Sequence, residues 1–175
     1  GLCAVFGGVL AGAGRIIAVD IADDKLGLAR QLGATDTFNA SDADCVDKVV
    51  EATKGGVDYA FEVAGVVEAM QTAYSITRRG GTTVTSGLSH LEHKFEIPHA
   101  QLVVDERTIK GSYMGSSIVR QDVPKFIDLY RQGKLPVDKL RSGNIGLADL
   151  NHGFDKLARG DAGRQMLVMH DEFDA

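Results

Sequence analysis

The sequence predicts an α/β domain: a doubly wound parallel sheet with helices on both faces. Three observations lead there. Short, almost continuously apolar runs recur along the chain, as in strands buried on both sides. An amphipathic stretch follows most of them, so that strand and helix alternate about five times. The connections are short, and right-handed crossovers then place successive strands side by side in parallel. The length of 175 residues suits one such domain, or one domain with a fragment of another.

The elements follow in order. Residues 2–6 and 15–19 read as buried parallel strands, being apolar throughout rather than alternating. Residues 23–32 read as a helix that starts on Asp23 and Asp24, carries Leu26, Leu28, Ala29 and Leu32, and stops at Gly33. Thr37 and Phe38 form a short strand. Ser41 and Asp42 suit the cap of a helix over 43–53, with Val46, Val49 and Val50 on one face. Gly55 and Gly56 turn the chain into a central strand over 57–63, and Gly65 breaks it before a helix over 66–77. The run RRGG ends that helix, and the β-branched run TTVTSG is the next strand. KFEIP is short, and Pro98 confines it to a sheet edge. A strand over 108–113, a helix over 119–132, a helix over 147–157 and a strand over 165–169 complete the chain. No internal repeat, low-complexity run or linker interrupts it.

Composition narrows the function classes. Hydrophobic content of 44% and charged content of 25% are those of an ordinary globular protein. A net charge of -5 argues against a general nucleic-acid binder and for small-molecule partners. Cys3 and Cys45 form no CxxC pair, so no disulfide framework or cysteine-rich metal site is expected, and a reducing cytoplasm fits. No apolar run approaches the ~20 residues that span a bilayer. No signal peptide is expected, because the first residues lack a basic stretch.

In an open parallel sheet, ligands bind beyond the carboxyl ends of the strands. The predicted ends are Gly7-Gly8, Asp20-Ile21, Ala64-Gly65, Gly87-Leu88 and Tyr113-Met114. A dinucleotide needs a helix N-terminus for its pyrophosphate, glycines that let backbone approach, and an acid for a ribose diol. The stretch AVFGGVLAGAGRIIAVD offers Gly7-Gly8 as part of a glycine turn and Asp20 as the acid. An acid there repels the extra phosphate of NADP, so it points to NAD. Each feature alone also has a plain reading: glycine pairs are often turns, and an aspartate after a strand often caps a helix. His90, His93 and His99 lie within HLEHKFEIPH but read as surface histidines, and no metal site is expected. No nucleophile elbow and no P-loop motif occurs.

Taken in order, AVFGGV, GRIIAVDIADDKLGLARQLGATDTFNA, GGVDYAFEVAG, RRGGTTVTSG, TIKGSYMGSS and GDAGRQMLV resemble the zinc-type alcohol dehydrogenases of the medium-chain dehydrogenase/reductase family. The resemblance implies a Rossmann-type NAD-binding domain over 1–135. It makes 136–175 a C-terminal return segment that packs on a catalytic domain not present in this chain. That domain would hold the zinc and the proton relay, so the chain by itself is expected to be inactive.

By position, Gly7, Gly8 and Val9 resemble remnants of the family's glycine-rich turn. Asp20, with Ile21 beside it, resembles the acid on the adenosine ribose, and Lys25 the lysine that assists it. Val63, Ala64 and Gly65 resemble the lining between adenine ribose and nicotinamide. Ser86, Gly87 and Leu88 resemble the backbone touching the nicotinamide, Tyr113 and Met114 the border of its carboxamide, and Arg164 the arginine that reaches the pyrophosphate. The implied reaction is hydride transfer between an alcohol and NAD, giving an aldehyde or ketone. A homodimer or tetramer through an edge strand between Lys94 and Ile97 is also implied. Rival readings are a zinc-free quinone or enoyl reductase of the same family, a non-catalytic NAD-binding module and, more remotely, a methyltransferase.

One departure stands out. The family has a full helix between its first two strands, whereas here eight residues, 7–14, separate the two predicted strands. A parallel crossover usually needs a dozen or more. Either residues are missing between Gly7 and Leu10, which predicts Cα steps there longer than ~3.8 Å, or the connection is truly shortened.

Overall fold

The computed structural model describes residues 1–160 and 162–169. It divides into two compact units, Gly1–Asp122 and Val123–Ala175.

The first unit corrects the opening of the sequence reading. Leu2–Leu10 is a helix, α1, and not a strand running into a turn. Leu2, Val5, Phe6, Val9 and Leu10 recur at the i, i+3, i+4, i+7, i+8 spacing of one helix face, and Val5 and Phe6 are buried. The N–H groups of Ala11 and Ala13 donate to the carbonyls of Gly7 and Gly8 at 2.9 and 3.0 Å. The ladder therefore runs unbroken through Gly7, Gly8 and Val9. The helix that the spacing appeared to lack is α1 itself.

β1 (Ile17–Asp20) and β2 (Asp36–Asn39) pair in parallel, joined by α2 (Asp23–Gln31). Arg15 donates from Nε and Nη2 to the two carboxylate oxygens of Asp36 at 2.8 and 2.7 Å, tying the strand starts together. The guanidinium holds the Asp36 carboxyl well below the usual carboxylate range. α3 (Cys45–Ala52) leads to β3 (Val57–Glu62), and α4 (Val67–Ile76) leads to β4 (Thr77–Thr85). β4 is central in a second parallel sheet, β3-β4-β5, with β5 at Thr108–Gly111. β4 starts earlier than expected. RRGG does not end the helix but bulges within the strand, where the register advances two residues on β3 against five on β4.

The parallel sheet is thus α/β as expected but discontinuous. Among the described residues β1 pairs only with β2, and β3 only with β4. The reason is local: residues 2–6, expected as a strand, are helical. An apolar cluster joins the two sheets. Val49, Ala60, Ala73 and Ile76 are buried, with Ile17, Val19, Phe38, Val46 and Val57 packed against them. Beside it Thr77 donates to the Ala73 carbonyl at 2.7 Å and bonds the Thr83 hydroxyl at 2.8 Å, so these buried hydroxyls are satisfied.

The edge strand expected between Lys94 and Ile97 does not form. These residues are loop with no ladder partner among the described residues, held where Phe95 meets the Tyr74 ring edge-on, with centroids 5.9 Å apart. A short helix not foreseen, α5 (His99–Val104), follows. Beyond β5 the chain makes a left-handed turn, with φ of 49°, 69° and 53° at Met114, Gly115 and Ser116.

α6 (Val119–Arg131) runs across the division between the units. The second unit contains β6 (Arg141–Gly146), α7 (Leu150–Ala158) and β7 (Arg164–Val168). β6 and β7 pair in parallel, and the polar run RSGNIG gave no strand signal in the sequence.

Two substitutions check this backbone. Gly7 lies exposed in the helix, and a Cβ there meets nothing within 4 Å. Gly7→Ala should raise unfolding stability by about 0.5–1 kcal/mol in urea titrations, whereas in a phosphate-binding turn it would be harmful. At Ser116 a left-handed φ costs a side chain about 1–2 kcal/mol. Thermal unfolding should therefore rank Ser116→Gly above the parent chain, and Ser116→Val below it.

Candidate functional site

The carboxyl ends of β1 to β5 carry most of the residues singled out in the sequence. Asp20, last in β1, stands in register with Asn39, last in β2. Asp20 Oδ1 accepts the Ala22 N–H at 3.0 Å, which turns the chain sharply into α2. Asn39 steadies the same turn, donating from Nδ2 to Asp23 Oδ1 at 2.8 Å and accepting the Ser41 N–H at 2.9 Å. Ile21 projects into solvent at 73% exposure, and Lys25 is half-buried on the first turns of α2. Asn39 was not foreseen; its place opposite Asp20 depends on strand register.

The ends of β3 and β4 interlock. Gly65 has φ of 76°, and a Cβ there would fall 2.8 Å from the Leu88 carbonyl oxygen. A Cβ on Gly87 would fall 2.2 Å from the Gly65 nitrogen. Two backbones pass so closely only because both residues are glycine. The N–H groups of Ser86 and Gly87 donate to the Glu62 carbonyl at 2.8 and 3.3 Å. Val63, Ala64, Ser86 and Leu88 are left facing outward on this rim. On β5, the Ser112 N–H donates to the Thr85 carbonyl at 2.9 Å, and Tyr113 and Met114 stand 78% and 67% exposed.

Gly7, Gly8 and Val9 are not at this rim. They lie in the second half of α1. A Cβ on Gly8 would meet the Ile16 side chain at 3.1 Å, and one on Gly33 would meet Val9 at 2.6 Å. Ile16 and Gly33 both precede their strands, so Gly8 and Val9 sit at the amino end of the sheet, opposite Asp20. What does reach the carboxyl rim is the start of α1, where a Cβ on Gly1 would lie 3.8 Å from Val63 Cγ2. The amino end of a helix carries about half a positive charge and unsatisfied N–H groups, the features that favour a phosphate.

Arg164 opens β7 in the second unit, opposite Arg141 in register, and lines a groove of about 350 Å³ with Ile145, Phe154 and Leu157. Of the three histidines, His90 and His93 have ring centroids 5.4 Å apart. Among the described residues no group of three or more His, Cys, Asp or Glu is placed to hold a metal, and no helix is long and apolar enough to cross a membrane.

Comparison with known proteins agrees with this geometry. The sequence profile of a family described as zinc-binding dehydrogenase matches residues 1–132. Alcohol dehydrogenase 2 of Zea mays is 33% identical over 174 residues, covering 98% of this chain and 46% of the maize protein. Benzyl alcohol dehydrogenase from Acinetobacter calcoaceticus superposes with a TM-score of 0.92 at 30% identity, over 97% of this chain and 47% of that one. A zinc-binding dehydrogenase structure from Sinorhizobium meliloti 1021, bound to NADP, gives a TM-score of 0.86 at 27% identity, over 96% and 49%. The chain spans about half the length of the relatives it matches. With the family profile covering three quarters of it and the parallel α/β architecture in place, this chain belongs to the zinc-binding dehydrogenase family.

Proposed function

We propose that this chain is the NAD-binding part of an oxidoreductase that moves a hydride between an alcohol and NAD, yielding an aldehyde or ketone. Residues 1–135 form the cofactor domain in this reading, and 136–175 return to a catalytic domain. The observation that carries it is the convergence of Asp20, the Gly65–Gly87 crossing, and the amino end of α1 on one rim of parallel strands. The nicotinamide, when bound, supplies the hydride chemistry. The chain's own residues bind and orient it. Asp20 takes the ribose diol, with Ile21 and Lys25 flanking it. The backbone at Val63, Ala64, Gly65, Ser86, Gly87 and Leu88 lines the middle of the cofactor, and Tyr113 and Met114 border the nicotinamide end. Arg164 is assigned to the pyrophosphate. A zinc ion belongs to the catalytic domain, where it would polarise the alcohol oxygen.

A solved relative named as a zinc-binding dehydrogenase is bound to NADP, so the nucleotide preference of this chain is the point to test. In this reading Asp20 favours NAD over NADP, because a carboxylate at the ribose repels a 2′-phosphate. Fluorescence titration should show NADH binding at least about tenfold more tightly than NADPH. Asp20→Asn should weaken NADH binding and narrow that ratio; an NADPH preference in the parent protein would overturn the NAD reading.

Self-association through the 94–97 loop completes the proposal. Its Lys94 and Ile97 ends flank backbone that has no ladder partner among the described residues, and exposed edges are commonly paired or blunted. Light scattering should report a dimer or tetramer, and proline at Glu96 should shift it toward monomer.

A further inference from the structure

Beneath the rim lies a carboxylate that the reading so far does not use. Glu62, last in β3, is only 3% exposed. Its Oε1 accepts the Ala64 N–H at 2.7 Å and the Gly65 N–H at 2.6 Å. Its Oε2 accepts the Thr85 hydroxyl at 2.7 Å. None of the ion pairs among the described residues involves it. A carboxylate taken out of water without a cation is expensive to bury, and here three donors compensate it. Those donors come from two different strand ends. One oxygen holds the turn after β3 and the other holds the end of β4. A Cβ on Gly87 would fall 2.7 Å from Oε1, so the carboxylate also forms the floor on which the two glycines cross.

We propose that Glu62 is a positioning residue for the dinucleotide site. It clamps the 63–65 turn to the end of β4 at the spacing the cofactor reads, without touching the cofactor itself. The inference rests on the strand ends being a nicotinamide dinucleotide site. Gln at this position keeps an oxygen for the two N–H groups and can donate its amide to Thr85, whereas Ala removes the acceptor of both N–H groups and of the Thr85 hydroxyl.

The test compares E62A, E62Q and a core control, L32A, in the purified protein. Kd for NADH is read by fluorescence, and amide hydrogen exchange at Ala64 and Gly65 by NMR. E62A should raise Kd by about tenfold or more, as a displaced binding backbone does, and should lose exchange protection at both amides. E62Q should stay within about threefold of the parent. L32A, at the buried end of α2 away from the rim, should lower Tm while leaving Kd unchanged in the folded protein, which separates positioning from general stability. Unchanged protection at Ala64 and Gly65 in E62A would overturn the role given to Glu62. Equal losses of affinity in E62Q and E62A would also overturn it. Failure of the parent protein to bind NADH would instead overturn the dinucleotide reading, while the exchange measurement still decides whether Glu62 clamps the two strand ends.

Discussion

The first unit depends on apolar packing around Val49. Its two parallel sheets share no hydrogen-bonded ladder among the described residues, so backbone pairing does not hold them together. Side chains do. Val49 on α3 is fully buried and reaches Ala60 on β3 as well as Ala73 and Ile76 on α4, while Ile17, Val19 and Phe38 close in from β1 and β2. Asp20 lies on one sheet, and Gly65 and Gly87 on the other. The distance across the rim is therefore set by how these small and branched side chains interdigitate, and packed interiors tolerate little slack.

The sequence made the pattern of elements legible wherever the residues had one physical reading. The helices around Leu26 and Val49 and the strand at 57–63 emerged from periodicity and glycine punctuation. The first ten residues had two readings. Val5 and Phe6 are adjacent, as in a buried strand, but Leu2, Val9 and Leu10 fall on the same helical face. The glycine pair tipped the reading toward a turn because helices disfavour glycine. Packing overrode that propensity: Gly8 is where α1 crosses the Ile16 side chain, and any side chain would crowd it. The strand at β6 was illegible for the opposite reason, since RSGNIG has almost no apolar residue and gains its ladder only from β7.

Site residues divided along similar lines. Asp20, Gly65 and Gly87 could be named because strand ends and glycines are visible in one dimension. Glu62 is one of two acids in the run VDYAFEV, and an acid at an inward position of a buried strand is itself a signal, since such a group must find donors. Asn39 became visible only through register, which pairs it with Asp20.

The crossing of Gly65 and Gly87 has an evolutionary consequence. A Cβ on Gly87 would need the space of the Gly65 backbone and a Cβ on Gly65 that of the Leu88 backbone, so neither can change alone, and changing both together relieves neither clash. This point of the rim is closed to adaptation by single steps. Drift toward a new ligand preference is channelled to the outward neighbours Val63, Ala64, Ser86 and Leu88, where a side chain can be exchanged without parting the strands.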